Sequence, residues 1–172
     1  MSLLQEYELL RRVPFFAEIE PARLKLLAFM SERVGFDPGK ALCRQGDPAD
    51  AAYLIIEGEA DVLVDTPIGP LVLATLGAND IVGEMAILGD VPRTATVQAK
   101  TRIVALRIAK EPFMRMVREF PTMAVSIMRE LAHRLELTNN QLRNALSEVR
   151  RLREGAGPQA AVRQEAGASP AE

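Results

Sequence analysis

The sequence predicts an α+β fold, a barrel or roll of short strands held between N-terminal helices and one long C-terminal helix. Three observations carry this. Between Arg33 and Ile108, short apolar runs alternate with turn signals. Before them, apolar residues recur at helical spacing. After Pro121, they keep alternating spacings of four and three as far as Leu152.

Residues 2–12 and 21–32 read as helices, from Leu3, Leu4, Tyr7 and Leu10, then Leu24, Leu27 and Ala28. Pro21 suits a first helical position after Glu20. The apolar corner Val13-Pro14-Phe15-Phe16 joins them as a hinge that packs one helix on the other. Strands are expected at 33–36, 41–45, 52–57, 60–65, 71–76, 95–99 and 103–108. The turns between them are marked by Pro38-Gly39, Gly46-Asp47, Glu57-Gly58, Pro67-Ile68-Gly69-Pro70 and Gly77-Ala78-Asn79-Asp80.

Glu111-Pro112 opens a short helix to about Glu119, and Pro121 opens a long one. Along it Ala124, Met128, Leu131, Leu135, Thr138, Leu142, Ala145, Val149 and Leu152 form a heptad seam. A single amphipathic helix packed on its own domain would explain the early part. The seam past Thr138 calls for a partner helix, and a parallel homodimer through residues 124–152 is the simplest one. Thr138 is the polar exception, either setting register or meeting something polar. Residues 155–172, rich in Gly, Ala, Pro and Gln, read as a disordered tail. The expected organisation is therefore a helical segment 1–32, a roll 33–120, a long helix 121–154 and the tail.

Composition narrows the function classes. At 172 residues, with 48% hydrophobic and 26% charged residues, the chain fits one soluble domain with an appendage. A formal net charge of -2 supplies no electrostatic case for direct nucleic-acid binding. The single cysteine, Cys43, excludes an internal disulfide and a cysteine-ligated iron–sulfur cluster, and reads as a small hydrophobe in a strand. No apolar run is long enough for a bilayer, and Met1-Ser2-Leu3-Leu4-Gln5-Glu6 is no export signal. A cytoplasmic location without membrane insertion is expected. His133, the only histidine, has no metal or nucleophile partner in the pattern. Glu57 and Glu59, with Asp37, Asp47, Asp61 and Asp65, read as turn or strand-edge residues. The chain is expected to be no enzyme and to hold no metal or cofactor.

The stretch 82–97, Val-Gly-Glu-Met-Ala-Ile-Leu-Gly-Asp-Val-Pro-Arg-Thr-Ala-Thr-Val, carries the chemistry. Gly83 permits a positive φ or a close backbone approach. Ala86 and Gly89 keep the neighbourhood small. Residues 84–88 make one helical turn whose free N–H groups suit an anion. Pro92 fixes the backbone before Arg93, whose planar fork suits two phosphate oxygens. Glu84 accepts hydrogen bonds but repels phosphate, so it suits a ribose hydroxyl, with Arg93 near enough to offset its charge. The bland alternative is a surface turn with an incidental Glu84–Arg93 pair.

This stretch resembles the phosphate-binding cassette of the cyclic nucleotide-binding domain family. Leu42-Cys43-Arg44-Gln45-Gly46-Asp47-Pro48-Ala49 and Tyr53-Leu54-Ile55-Ile56-Glu57-Gly58 resemble that family's first roll signature, with Ala52 smaller than the usual apolar residue. Val13-Pro14-Phe15-Phe16 and Phe36-Asp37-Pro38-Gly39-Lys40 extend the likeness, which runs from about Leu9 to about Leu152. The resemblance implies an antiparallel, jelly-roll-like β-roll. It implies a ligand site of Gly83, Glu84, Met85, Ala86, Arg93, Thr94 and Ala95, with cAMP or cGMP as ligand. Leu131 to Asn139 resembles the dimer helix of the bacterial catabolite activator family, which implies adenine contacts for Thr138 and Asn139. The resemblance also implies that Thr94 keeps cGMP open, since in the family a hydroxyl at this place can meet a guanine amino group, although it is also found in proteins that use cAMP; Thr138 tilts the choice to cAMP. A register-setting Thr138 without ligand stands beside that reading.

The expectation is a non-enzymatic cyclic-nucleotide sensor that signals by moving its C-terminal helix, with a protein partner downstream. Two rivals stand against it. One is a transcription regulator of the catabolite activator type, for which the tail after Leu152 is too short and irregular to supply a helix-turn-helix. The Arg150, Arg151 and Arg153 cluster reads as a solvated helix end. The other is a structural dimer that lost its ligand, against which intact Glu84 and Arg93 argue.

Overall fold

A computed structural model describes residues 3–155. The chain divides into two compact units, Met1–Met128 and Arg129–Glu172.

The first unit opens with α1 (Leu3–Arg11), a 3₁₀ turn (Pro14–Phe16) and α2 (Pro21–Phe29). Tyr7 and Leu10 of α1, and Leu24, Leu27 and Ala28 of α2, are buried, whereas Leu3 and Leu4 are exposed. Pro21 takes the expected first-turn position. The apolar corner forms: Val13 and Phe16 are buried, and Phe16 meets Phe113 edge to face at 6.2 Å. The helix expected to reach residue 32 stops at Phe29. Glu32 already pairs with Arg107 across the sheet, so ladder hydrogen bonds override the helical spacing there.

Eight strands follow among the described residues: β1 (Glu32–Phe36), β2 (Ala41–Cys43), β3 (Ala51–Glu57), β4 (Ala60–Thr66), β5 (Gly69–Leu76), β6 (Ile81–Val82), β7 (Thr96–Ala99) and β8 (Ile103–Ala109). They make two antiparallel four-stranded sheets, ordered β1-β8-β3-β6 and β2-β7-β4-β5. The seven expected strands are all present. β6 was not expected, because two residues carry no period. The strand expected to 45 ends at Cys43, since Arg44 and Gln45 turn out of the ladder and the Gln45 N–H takes the Thr96 hydroxyl instead. Pro67 and Ile68 make the β4–β5 turn, and Pro70 already pairs with Asp65.

One core joins the sheets. Leu42, Ala60, Val97 and Ala99 from one pack with Ala51, Tyr53, Ile55, Val82, Ile103 and Ala105 from the other. β3 and β8 are buried on both faces, with Leu54, Leu106 and Ile108 also out of solvent. Their outer side is covered: α3 (Glu84–Leu88) lies against β3 and α4 (Lys110–Glu119) against β8. This layering explains why β3 reads as a near-continuous apolar run and not as an alternating one.

α5 runs unbroken from Pro121 to Gly155. Gly155, assigned to the tail by the sequence reading, is its last residue. The expected tail from 156 onward lies outside the described residues. In the first unit α5 buries Met123, Ser126 and Ile127, and Ser126 Oγ donates to Glu18 at 2.7 Å. Burial there runs one residue off the seam, because Met128 is exposed. In the second unit Leu135, Leu142, Val149 and Leu152 are exposed along the helix. No described helix is long and apolar enough to cross a membrane.

Candidate functional site

β6 delivers the chain to Gly83, which sits in the left-handed region at φ 85° and caps α3. Two constraints demand glycine here. The backbone conformation is one that L side chains rarely adopt, and a Cβ would collide with Arg93 Nη1. Glu84 opens α3 and is only 2% exposed. Ala86 and Ile87 are buried beside it, and Met85 is exposed. α3 is a single helical stretch of five residues, as the spacing predicts. Asp90, at φ 49°, makes the turn out of it and pairs with Lys110 Nζ at 2.5 Å. That pairing holds the Asp90 carboxyl below its ordinary range.

Arg93 is 4% exposed. Its backbone is clamped to the β2–β3 loop, since Arg93 N–H donates to Asp47 O and Gly46 N–H donates to Arg93 O, both at 2.8 Å. Its guanidinium then reaches across to the start of β3. Nη1 donates to Gly83 O at 3.2 Å, and Nη2 donates to Ala51 O at 2.6 Å and to Asp50 Oδ1 at 3.0 Å. Nε is buried and has no hydrogen-bond partner. A buried donor left unmade costs about 1–3 kcal/mol.

Thr94 follows in an exposed bend and Ala95 is half-buried, leading into β7. Cys43 Sγ lies 4.0 Å from Ala95 O, and burial pushes its thiol pKa up, as befits a packed hydrophobe. Of the expected site residues, Gly83 and Arg93 are in direct contact; Glu84 and Ala86 are buried, Ala95 is half-buried, and Met85 and Thr94 are exposed. Thr138 and Asn139 belong to the second unit. Both are exposed, and Thr138 Oγ1 donates to Arg134 O at 2.9 Å within its own helix.

Two residues at this site escaped the sequence reading. Asp50 Oδ1 meets Arg93, and its Oδ2 accepts from Arg107 Nη2 at 2.7 Å. Burial opposes ionisation of Asp50, but hydrogen bonds from Arg107, from its own backbone and from Arg93 outweigh it and hold its pKa below the ordinary value. The same contact raises the Arg107 pKa, the Asp50 hydrogen bond being the main cause. The available signal was position: an aspartate directly before a buried strand, with a basic residue on the strand paired to it. Among the described residues no group of three His, Cys, Asp or Glu side chains is placed to hold a metal ion.

The arrangement suits a small anion that also carries a hydroxyl. It offers a buried guanidinium with a spare donor, a buried carboxylate nine positions earlier in the same segment, and a glycine that admits close approach of that guanidinium.

Residues 33–120 match the family model described as cyclic nucleotide-binding domain. A CRP-like cAMP-activated global transcriptional regulator of Mycobacterium tuberculosis is 30% identical over 136 residues, covering 78% of this chain and 61% of the regulator. The cAMP-dependent protein kinase regulatory subunit of Yarrowia lipolytica is 38% identical over 109 residues, covering 63% of this chain and 28% of the subunit. The chain therefore spans about three-fifths of the first relative and about a quarter of the second. Among solved structures, the sensor domain of the transcriptional regulator DNR from Pseudomonas aeruginosa superposes with a TM-score of 0.72 at 26% identity, covering 80% of this chain and 93% of that one.

Proposed function

We propose, for a chain that belongs to the cyclic nucleotide-binding domain family, that it is a sensor that binds a cyclic nucleotide at Arg93 and Glu84 and passes the event on through α5 without chemistry of its own. The observation that carries this is Arg93: a guanidinium almost wholly out of water, with its Nε lacking an acceptor. A phosphate oxygen supplies that acceptor and the opposite charge. Glu84 takes the ribose 2′-hydroxyl, the free sugar hydroxyl of a 3′,5′-cyclic nucleotide. A carboxylate is the matching acceptor.

cAMP is the favoured ligand and cGMP the alternative. The names of the Mycobacterium and Yarrowia relatives both specify cAMP. Thr138, with Asn139, is assigned the base, and Thr94 the weaker pull toward guanine. The exposed seam of Leu135, Leu142, Val149 and Leu152 supports a homodimer through residues 124–152, since a monomer would leave that stripe in water. Ligand binding shifts the position of α5 only by as much as the two positions differ in ligand affinity. The output is assigned to a protein partner, as the kinase regulatory subunits among the relatives regulate a protein by name.

A second reading, transcription regulation, is favoured by the name of the Mycobacterium relative. A nucleotide-dependent, sequence-specific gel shift that survives competitor DNA at physiological salt would decide for it, because nonspecific phosphate contacts fade there. The main reading is tested by calorimetry of the purified chain with cAMP and with cGMP. Saturable binding of at least one is expected, and heat from neither would overturn it.

A further inference from the structure

Asp50 presents a problem for any anion that approaches Arg93, because it is itself an anion on the same guanidinium. Its Oδ1 lies 3.0 Å from Arg93 Nη2. Two like charges on one fork repel each other, and the repulsion weakens the incoming one.

The structure holds Asp50 from the other side. Arg107 Nη2 donates to Asp50 Oδ2 at 2.7 Å, a shorter contact than that from Arg93. Arg107 is placed for this by sheet register, being the direct partner of Tyr53 where β8 crosses β3, next to the point at which Asp50 enters β3. The backbone is pinned as well, since the Lys110 N–H donates to Asp50 O at 2.8 Å. The carboxylate is therefore divided between two arginines. Taken together, Arg93, Arg107 and Asp50 carry one net positive charge, and a cyclic phosphodiester carries one negative charge. Without Arg107, the remaining pair would be neutral.

We propose that Arg107 is a positioning residue of the anion site, drawing the Asp50 carboxylate away from Arg93 so that Arg93 is free to take the ligand phosphate. The proposal rests on the cyclic-nucleotide reading and deepens it. It assigns Arg107 no contact with the ligand. Two consequences distinguish it from a merely structural role. The effect of Arg107 must depend on the charge at position 50, and it must be equal for cAMP and cGMP, which share the phosphate and differ in the base.

The test is calorimetry with cAMP and with cGMP on wild type, Arg107→Lys, Arg107→Gln and Arg107→Ala, each also made in an Asp50→Asn background, with thermal midpoints measured alongside. Arg107→Ala and Arg107→Gln are expected to weaken both nucleotides by the same factor, about three- to tenfold, the size of a partly exposed charge interaction. Arg107→Lys should restore most of the affinity. With Asn at position 50, the factor should fall below about twofold, as double-mutant logic requires. Unchanged affinity in folded Arg107→Gln, or an equal loss with and without the Asp50 charge, would overturn the proposal while leaving the cyclic-nucleotide reading standing. Wild-type protein that binds neither nucleotide would overturn both.

Discussion

The Arg93 guanidinium lies directly against the α-carbon of Gly83. Nη1 donates to the Gly83 carbonyl at 3.2 Å, and a methyl group on Gly83 would collide with Nη1. The left-handed turn that starts α3 and the seat of the arginine are thus one feature, made by one missing side chain.

Gly83→Ala should therefore act on both. The strained conformation costs on the order of 1–3 kcal/mol, read as a lowered thermal midpoint. Arg93 must also shift, so cyclic-nucleotide affinity should fall by more than the stability loss explains. A folded Gly83→Ala protein with wild-type affinity would show that Arg93 does not sit here when ligand is bound.

In the proposed complex Arg93 and Glu84 divide the ligand between them. Arg93→Ala should lower affinity by about 2 kcal/mol or more, roughly thirtyfold, because the phosphate loses charge-assisted bonds. Glu84→Ala should cost about 1.5–3 kcal/mol, the worth of a hydrogen bond to a charged group. The discriminating probe is 2′-deoxy-cAMP. It should bind wild type more weakly than cAMP, and Glu84→Ala should bind both alike. A persisting difference in the variant would assign the 2′-hydroxyl elsewhere.

Base choice is expected to follow the long helix. Thr138→Ala should weaken cAMP with little change in cGMP or in thermal midpoint, since its hydroxyl is exposed and bonds back to Arg134 O. Competition titration measures the ratio. If Thr94→Ala moves the ratio and Thr138→Ala does not, the cassette governs the base.

Leu142 and Val149 are exposed on α5 at seam positions. Replacing both with Glu puts charges where a partner helix would bury them, so sedimentation should find a wild-type dimer and a variant monomer at micromolar concentration. A wild-type monomer, with and without nucleotide, would refute the dimer.

Asp50 makes stability depend on pH. Its folded pKa lies below the ordinary value, while the unfolded chain titrates near about 3.9. Between those values the unfolded state binds more protons, so this contribution is complete above the unfolded pKa and is lost as pH falls through the folded one. The Asp50 side chain is 60% exposed, which limits the effect to about 1 kcal/mol or less. Asp50→Asn should lower the thermal midpoint at pH 7 and converge on wild type in strong acid. Parallel pH–stability curves would contradict the two-arginine contact.

What the sequence determined by itself is whatever repeats or sits locally. The seven strands announce themselves through apolar runs between Gly and Pro turns, and the helix α5 through its recurring apolar spacing. The cassette is legible because Gly83, Glu84 and Arg93 are neighbours in one loop, where residue type and spacing already constrain the chemistry. The end of α2 was misplaced because pairing of Glu32 with Arg107 is a long-range contact that helical spacing does not record. β6 was missed because two residues cannot show a period. Asp50 and Arg107 were missed for a stronger reason. Arg93 reaches Asp50 across 43 positions, and Arg107 reaches it across 57, through the antiparallel register of β3 and β8. Each residue alone is an ordinary surface charge. The role proposed for them arises from distance, because a carboxylate shared by two guanidinium groups changes the charge an anion would meet, and only the folded chain brings those three groups within hydrogen-bonding reach.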